Sequence, residues 1–210
     1  MMLSGEASPG ARVRLATPSG EAIFAQADAG GAWRLIAPTP TQVRLYGLSM
    51  NEDRRTIQSE GYLALTPGGM VAQLRAGSGA VDIGAPRTAL RIDAVDFDRK
   101  GGAVVSGAAP ANSALRVLVD STQRGSAVAD RAGRFSLALN EPLSPGGHTL
   151  GAARAAASRS VEVTVSPAVP LERQPFRASP ADGGWRIDWI TPGGGVQSTL
   201  LFEPREGAGT

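Results

Sequence analysis

The sequence predicts an all-β chain: two tandem β-sandwich modules followed by a C-terminal β-hairpin. Three observations predict it. About thirty residues recur 102 positions later without an insertion, from Ser4-Gly5 and Ser106-Gly107 to Leu35 and Leu137. Apolar residues alternate with polar ones in short runs, the inside–outside period of a half-buried strand. The 27 glycines and 15 prolines sit in turn-like clusters between those runs, which favours many short strands joined by tight turns. The expected organisation is a first module over 1–86, a second over 87–168, and a Pro-rich linker with the terminal hairpin over 169–210.

Taken in order, Val13 and Leu15 alternate with Arg12 and Arg14 and return as Leu115 and Val117. Asp28-Ala29-Gly30-Gly31 and Asp130-Arg131-Ala132-Gly133 are turns, with glycine available where φ must be positive. Trp33 and Leu35 follow the first turn, Phe135 and Leu137 the second. Val43–Tyr46 and Tyr62–Leu65 flank Asn51-Glu52-Asp53-Arg54, a polar hairpin connection. Thr66-Pro67-Gly68-Gly69 then turns the chain into Met70–Leu74. Leu90–Phe97 is a strand opening the second copy. Only three residues precede Ser4, so the first copy shows no counterpart to that strand: either the chain is shortened upstream or something else fills that edge, and an unpaired edge invites another chain. Val161, Val163 and Val165 alternate with Glu162 and Thr164, matching Leu63 and Leu65 after a small drift in spacing. Ala152–Ala157 falls on a strand or its loop. Ser166–Asp182, with four prolines, reads as an extended linker. Trp185, Ile187 and Trp189 then form one strand of a hairpin, Thr191–Gly195 its turn and Val196–Phe202 its return. That hairpin is expected to augment a sheet of the first copy, in the same chain or in a partner molecule.

The pattern Ser-Gly-x-Ala-x-Pro-Gly-Ala-x-Val, followed by Ala-Asp-x-x-Gly-x-Trp/Phe-x-Leu, resembles the bacterial Ig-like repeats of cell-envelope and surface proteins. It is similar also to the carboxypeptidase-regulatory-like, prealbumin-type sandwich, through Ala129–Leu137 and Pro145-Gly146-Gly147-His148-Thr149-Leu150, with His148 where that pattern has tyrosine. The resemblance covers roughly residues 3–67 and 90–167. It implies a non-enzymatic spacer or adhesion module outside the cytoplasm, and it carries no catalytic residues to transfer.

Composition narrows the chemistry. With 42% hydrophobic and 19% charged residues the chain has a globular balance. Its formal net charge is +2 and its pI 9.6, but the basic residues are dispersed, whereas a nucleic-acid footprint is a stripe on one face. No cysteine is present, which removes disulfides, thiolates and Cys-ligated zinc. No apolar run reaches the ~20 residues a membrane-spanning helix needs. No signal peptide is visible, since Met1-Met2-Leu3 leads straight into Ser-Gly.

No catalytic constellation is evident. His148 is the sole histidine, and the sequence shows no nucleophile or ligand cluster around it. Asp93, Asp96 and Asp98 are spaced like calcium ligands, but the remaining ligands of such a loop are missing and Arg99 and Lys100 oppose a cation. Ser4-Gly5 and Ser106-Gly107 lack the Gly-x-Ser-x-Gly frame of a nucleophile elbow. Gly193-Gly194-Gly195 precedes β-prone residues where a phosphate cradle needs a helix. Trp185 and Trp189, ~13 Å apart along one strand face, fit either a buried core or a stacking platform for sugars. The expected function is a non-catalytic structural or protein-interaction module of a bacterial cell envelope, periplasmic or at the cell surface, with no cofactor or metal. Its expected partners are envelope proteins or further copies meeting at sheet edges. The alternative is a carbohydrate- or peptidoglycan-binding module that uses Trp185 and Trp189.

Overall fold

The computed structural model describes residues 1–52, 55–84, 88–172, 174–181 and 183–203. These contain no helix and are 57% strand, arranged in several antiparallel sheets. The expected turn centre at Asp53 and Arg54 and the module boundary at 86–87 lie outside the described residues. The chain divides into two compact units, Met1–Gln73 and Leu74–Thr210.

The first unit contains β1 (Met2–Glu6), β2 (Arg12–Ala16), β3 (Ala22–Gln26), β4 (Ala32–Ile36), β5 (Arg44–Glu52), β6 (Arg55–Gln58) and β7 (Tyr62–Leu65). Strand β8 (Val71–Leu74) carries the chain onward. β1 and β4 make a two-stranded sheet, and β3-β2-β5-β7-β8 run side by side in another, with β6 on β5. In β2 the alternation predicted from sequence holds: Val13 and Leu15 are buried and Arg12 and Arg14 exposed. Leu3, Trp33 and Leu35 from the small sheet pack with Val13, Leu15 and Leu65 from the large one into a single core. Each such side chain contributes roughly 1.5–3 kcal/mol by burial.

The second unit contains β9 (Val81–Asp82), β10 (Arg91–Phe97), β11 (Ala103–Ala108), β12 (Ala114–Val119), β13 (Thr122–Val128), β14 (Arg134–Ala138), β15 (Gly146–Arg154), β16 (Ala157–Val165), β17 (Phe176–Ala181), β18 (Gly184–Ile190) and β19 (Val196–Phe202). One sheet runs β14-β11-β10-β19-β18-β17 and another β13-β12-β15-β16. Val95, Phe97 and Val105 from the first pack against Val117, Leu150 and Val163 from the second.

The sequence repeat recurs in the strand pairings. Met2 faces Ile36 in β1–β4, and 102 residues later Val104 faces Ala138 in β11–β14. Arg12 faces Gln26 in β2–β3 as Ala114 faces Val128 in β12–β13. Pairing between the next strands drifts: Arg14 faces Ser49, but its counterpart Arg116 faces Ala153 and not Gly151. Two glycines have counterparts for physical reasons. Gly31 (φ 89°) and Gly133 (φ 74°) both take the left-handed conformation after an aspartate whose Oδ1 accepts backbone N–H groups of the turn. Gly5 lies under the Trp33 ring and Gly107 under the Phe135 ring, where a Cβ would come within 2.8 and 3.0 Å of ring atoms.

The C-terminal segment differs from expectation twice. The stretch read as an extended linker contains β17, whose Pro180 sits opposite Trp185. Ile190 N donates to Pro175 O, so by antiparallel alternation the odd residues of β17 bond to β18 and the even ones face outward. Pro180 therefore lacks a donor only on the sheet's outer edge, where proline is tolerated. The hairpin β18–β19 does not extend a sheet of the first copy. It joins β10, with Ala94 facing Leu201 and Phe97 facing Ser198. Polar chemistry favours that placement, because Gln197 and Thr199 reach a carboxylate that β10 buries.

Candidate functional site

The strongest candidate is the open border of β1. Ala37 N donates to Met1 O and Ala7 N to Gly31 O, so Met1, Leu3, Gly5 and Ala7 exchange hydrogen bonds with the β4 side. The backbone groups of Met2, Ser4 and Glu6 point the other way. Among the described residues this sheet has two strands, and nothing pairs with that border. The outer face is open as well: Met2 is 68% exposed, its cross-strand partner Ile36 81%, and Ser4 and Arg34 beside them are exposed.

In the second copy the equivalent positions are covered. Leu139 N donates to Ala103 O and Ala109 N to Gly133 O, which leaves Val104, Ser106 and Ala108 for β10. The outer face is closed by the segment before β9. Ser106 Oγ donates to Ala80 O (2.6 Å) and Ser136 Oγ to Ser78 O (2.7 Å), and Ser106 is only 1% exposed.

A buried carboxylate anchors that segment. Asp96, 2% exposed, accepts the Ala80 N–H (2.7 Å), the Gln197 amide (2.9 Å) and the Thr199 hydroxyl, while Gln197 Oε1 accepts the Gly77 N–H (3.0 Å). Burial pushes its pKa up to about 6, against the lowering effect of those donors, the Thr199 hydroxyl foremost. The three aspartates weighed as calcium ligands are each engaged separately. Asp93 pairs with Arg91, Asp96 holds the Ala80 segment, and Asp98 accepts the Lys100 and Gly102 N–H groups of its own turn.

His148 has neighbours that spacing in sequence concealed. Nδ1 lies 2.7 Å from Asp120 Oδ2, and Nε2 lies 2.8 Å from Ser144 O and 3.3 Å from Ser144 Oγ. Asp120 reaches it from the β12–β13 turn and Ser144 from the loop before β15. The sequence shows no cluster around His148, and the fold supplies these neighbours. These are the residue types of a nucleophilic triad, but the hydrogen bonding is that of a clamp. In the protonated ring Nδ1 donates to Asp120 and Nε2 to the Ser144 carbonyl, which lies nearer to Nε2 than the Ser144 hydroxyl does. The bond to Asp120, with the Ser144 carbonyl next, raises the pKa of His148, and the His148 bond lowers that of Asp120. Two groups 28 residues apart in sequence offered no local signal.

The tryptophans occupy different settings. Trp189 is 0% exposed, and its Nε1 donates to Thr199 Oγ1 (3.0 Å). Trp185 is half-buried, donates to Glu203 Oε1 (3.2 Å) and lines a cleft of about 170 Å³ with Glu162, Thr164, Ser166 and Arg186. Of the two, only Trp185 has surface open to a ligand. Gly193–Gly195 form the hairpin turn between β18 and β19, with Thr191 N donating to Gly195 O. No helix among the described residues is long and apolar enough to cross a membrane, and no group of three or more potential metal-ligating side chains is assembled there. Compared with known proteins, the chain matches no family model, and no curated protein matches it.

Proposed function

We propose that the chain is a non-catalytic structural or protein-interaction module of a bacterial cell envelope, built as two tandem Ig-like or prealbumin-like β-sandwich modules. The observation that carries this reading is the border of β1. Its outward backbone groups and exposed Met2–Ile36 pair stand where the second copy is closed by a strand and a covering segment. An unpaired strand border is a ready template for another chain. The polar groups buried in the second unit support the same reading, because they fasten strands and loops to one another. A photocrosslinking residue at Ile36, combined with fractionation of producing cells, tests it. The expected result is crosslinked partners in the envelope fraction; a chain confined to the cytoplasm without crosslinks overturns it.

The cleft beside Trp185 favours a second reading, a glycan-binding module in which one aromatic face, Glu162 and Arg186 meet a sugar. A shift of tryptophan fluorescence on adding peptidoglycan fragments, lost in Trp185→Ala, is its expected signature. No shift at saturating fragment rules it out.

A further inference from the structure

We propose that β1 accepts an antiparallel strand from a separate polypeptide, and that this guest carries the side-chain pattern of β10. The inference rests on reading the β1 border as an interaction site and adds the chemistry of what fills it.

The second copy displays the completed arrangement. Ala108 faces Arg91, Gly107 faces Ile92, Ser106 faces Ala94, Val105 faces Val95 and Ala103 faces Phe97. Ile92, Val95 and Phe97 enter the core from that strand. Subtracting 102 places Glu6, Gly5, Ser4, Leu3 and Met1 in the host positions. A guest therefore needs a branched aliphatic residue opposite Gly5, the place Ile92 takes opposite Gly107. It needs a second aliphatic opposite Leu3. Met1 is larger than Ala103, so the residue opposite it is smaller than the phenylalanine of β10. Opposite Glu6, where the second copy has Ala108 facing Arg91, a basic residue gains an ion pair as well as its place in the ladder. Backbone bonds to Met2, Ser4 and Glu6 supply affinity, and the alternate side chains supply selectivity, as in recognition by strand addition.

A second copy of this chain fits less well. Its β10 is held on both sides by β11 and β19. Two β1 strands paired about Ser4 would set Leu3 against Gly5 and Met2 against Glu6, with no aliphatic partner for Leu3.

The test titrates a synthetic peptide with the sequence of Leu90–Asp98, carrying Phe97→Val to suit the larger Met1, into the full chain and follows amide exchange residue by residue. The expected result is saturable binding that slows exchange at Met2, Ser4 and Glu6 by about tenfold or more and leaves Leu3 and Gly5, already bonded to β4, unchanged. Ser4→Pro removes an outward N–H and fits an edge position, so it should keep the melting temperature and weaken peptide binding about tenfold or more. No binding at millimolar peptide, protection at any other strand, or undiminished binding by Ser4→Pro overturns the proposal. So does a free chain that sediments as a dimer with those three amides already protected, which would make a second copy the occupant. If the peptide fails while the Ile36 crosslink persists in cells, this guest is wrong and the interaction reading stands; loss of both ends both.

Discussion

At the scale of single residues, the side chains that hold this chain together do so through position more than chemistry. Gly107 and Gly5 occupy the same place in the repeat, yet a Cβ at Gly107 would lie 2.1 Å from Arg91 O, whereas at Gly5 the nearest atoms belong to the Trp33 ring. Gly107→Ala is expected to cost about 3 kcal/mol and Gly5→Ala about 1 kcal/mol, the difference being the backbone of the strand that only one copy possesses; denaturant melts of both variants check it. His148 titrates above its ordinary 6.5 because its protonated form donates to Asp120 and to the Ser144 carbonyl. The clamp is therefore complete below pH 6.5 and is lost as pH rises through the folded-state value. An imidazole titration by NMR should place the midpoint above 6.5, and His148→Gln should flatten that part of the stability profile. The clamp was invisible in sequence because Asp120, 28 residues away, reaches His148 only after β12 pairs with β15. The turns were legible, because Asp-x-x-Gly states its geometry locally.

Strands were predicted where alternation was clean and missed where it was not. Val13–Leu15, Val161–Val165 and Trp185–Trp189 announced themselves by period. β17 did not, since Pro180 and the three prolines before it suggest a linker until an outer-edge position makes Pro180 harmless. The placement of β18–β19 was beyond reach for a different reason: it is decided by Gln197 and Thr199 meeting Asp96, a match across 101 and 103 residues. Removing residues 171–210 should therefore abolish cooperative unfolding of the second unit, because it strips β10 of a neighbour and uncovers Asp96. Unchanged melting of the truncated chain would contradict this. Ser106→Pro should cost about 3 kcal/mol through a lost ladder bond. Ser4→Pro, its counterpart in the repeat, should be nearly neutral when no guest is bound.

For the molecule as a whole, the buried Asp96 ties the stability of the second unit to pH. Asp96 has its pKa raised to about 6 from an ordinary 3.8, so between those values the folded form holds a proton that the unfolded form has lost. On this account the second unit loses stability as pH rises through that window, by up to about 1.4 kcal/mol per pH unit. Trp33 belongs to the first unit, and Trp185 and Trp189 to the second. A Trp33→Phe chain consequently reports the second unit alone, and its fluorescence midpoint in denaturant should fall from pH 4 to pH 6, with Asp96→Asn flattening the trend.

Pro180 has one more consequence. By withholding a donor from the rim of the six-stranded sheet, it stops that rim from recruiting further chains, and β1 has no such stopper. A visitor that docks on β1 turns its own far side to the solvent. Whether growth from that border halts at a pair or continues is then set by the side the visitor exposes.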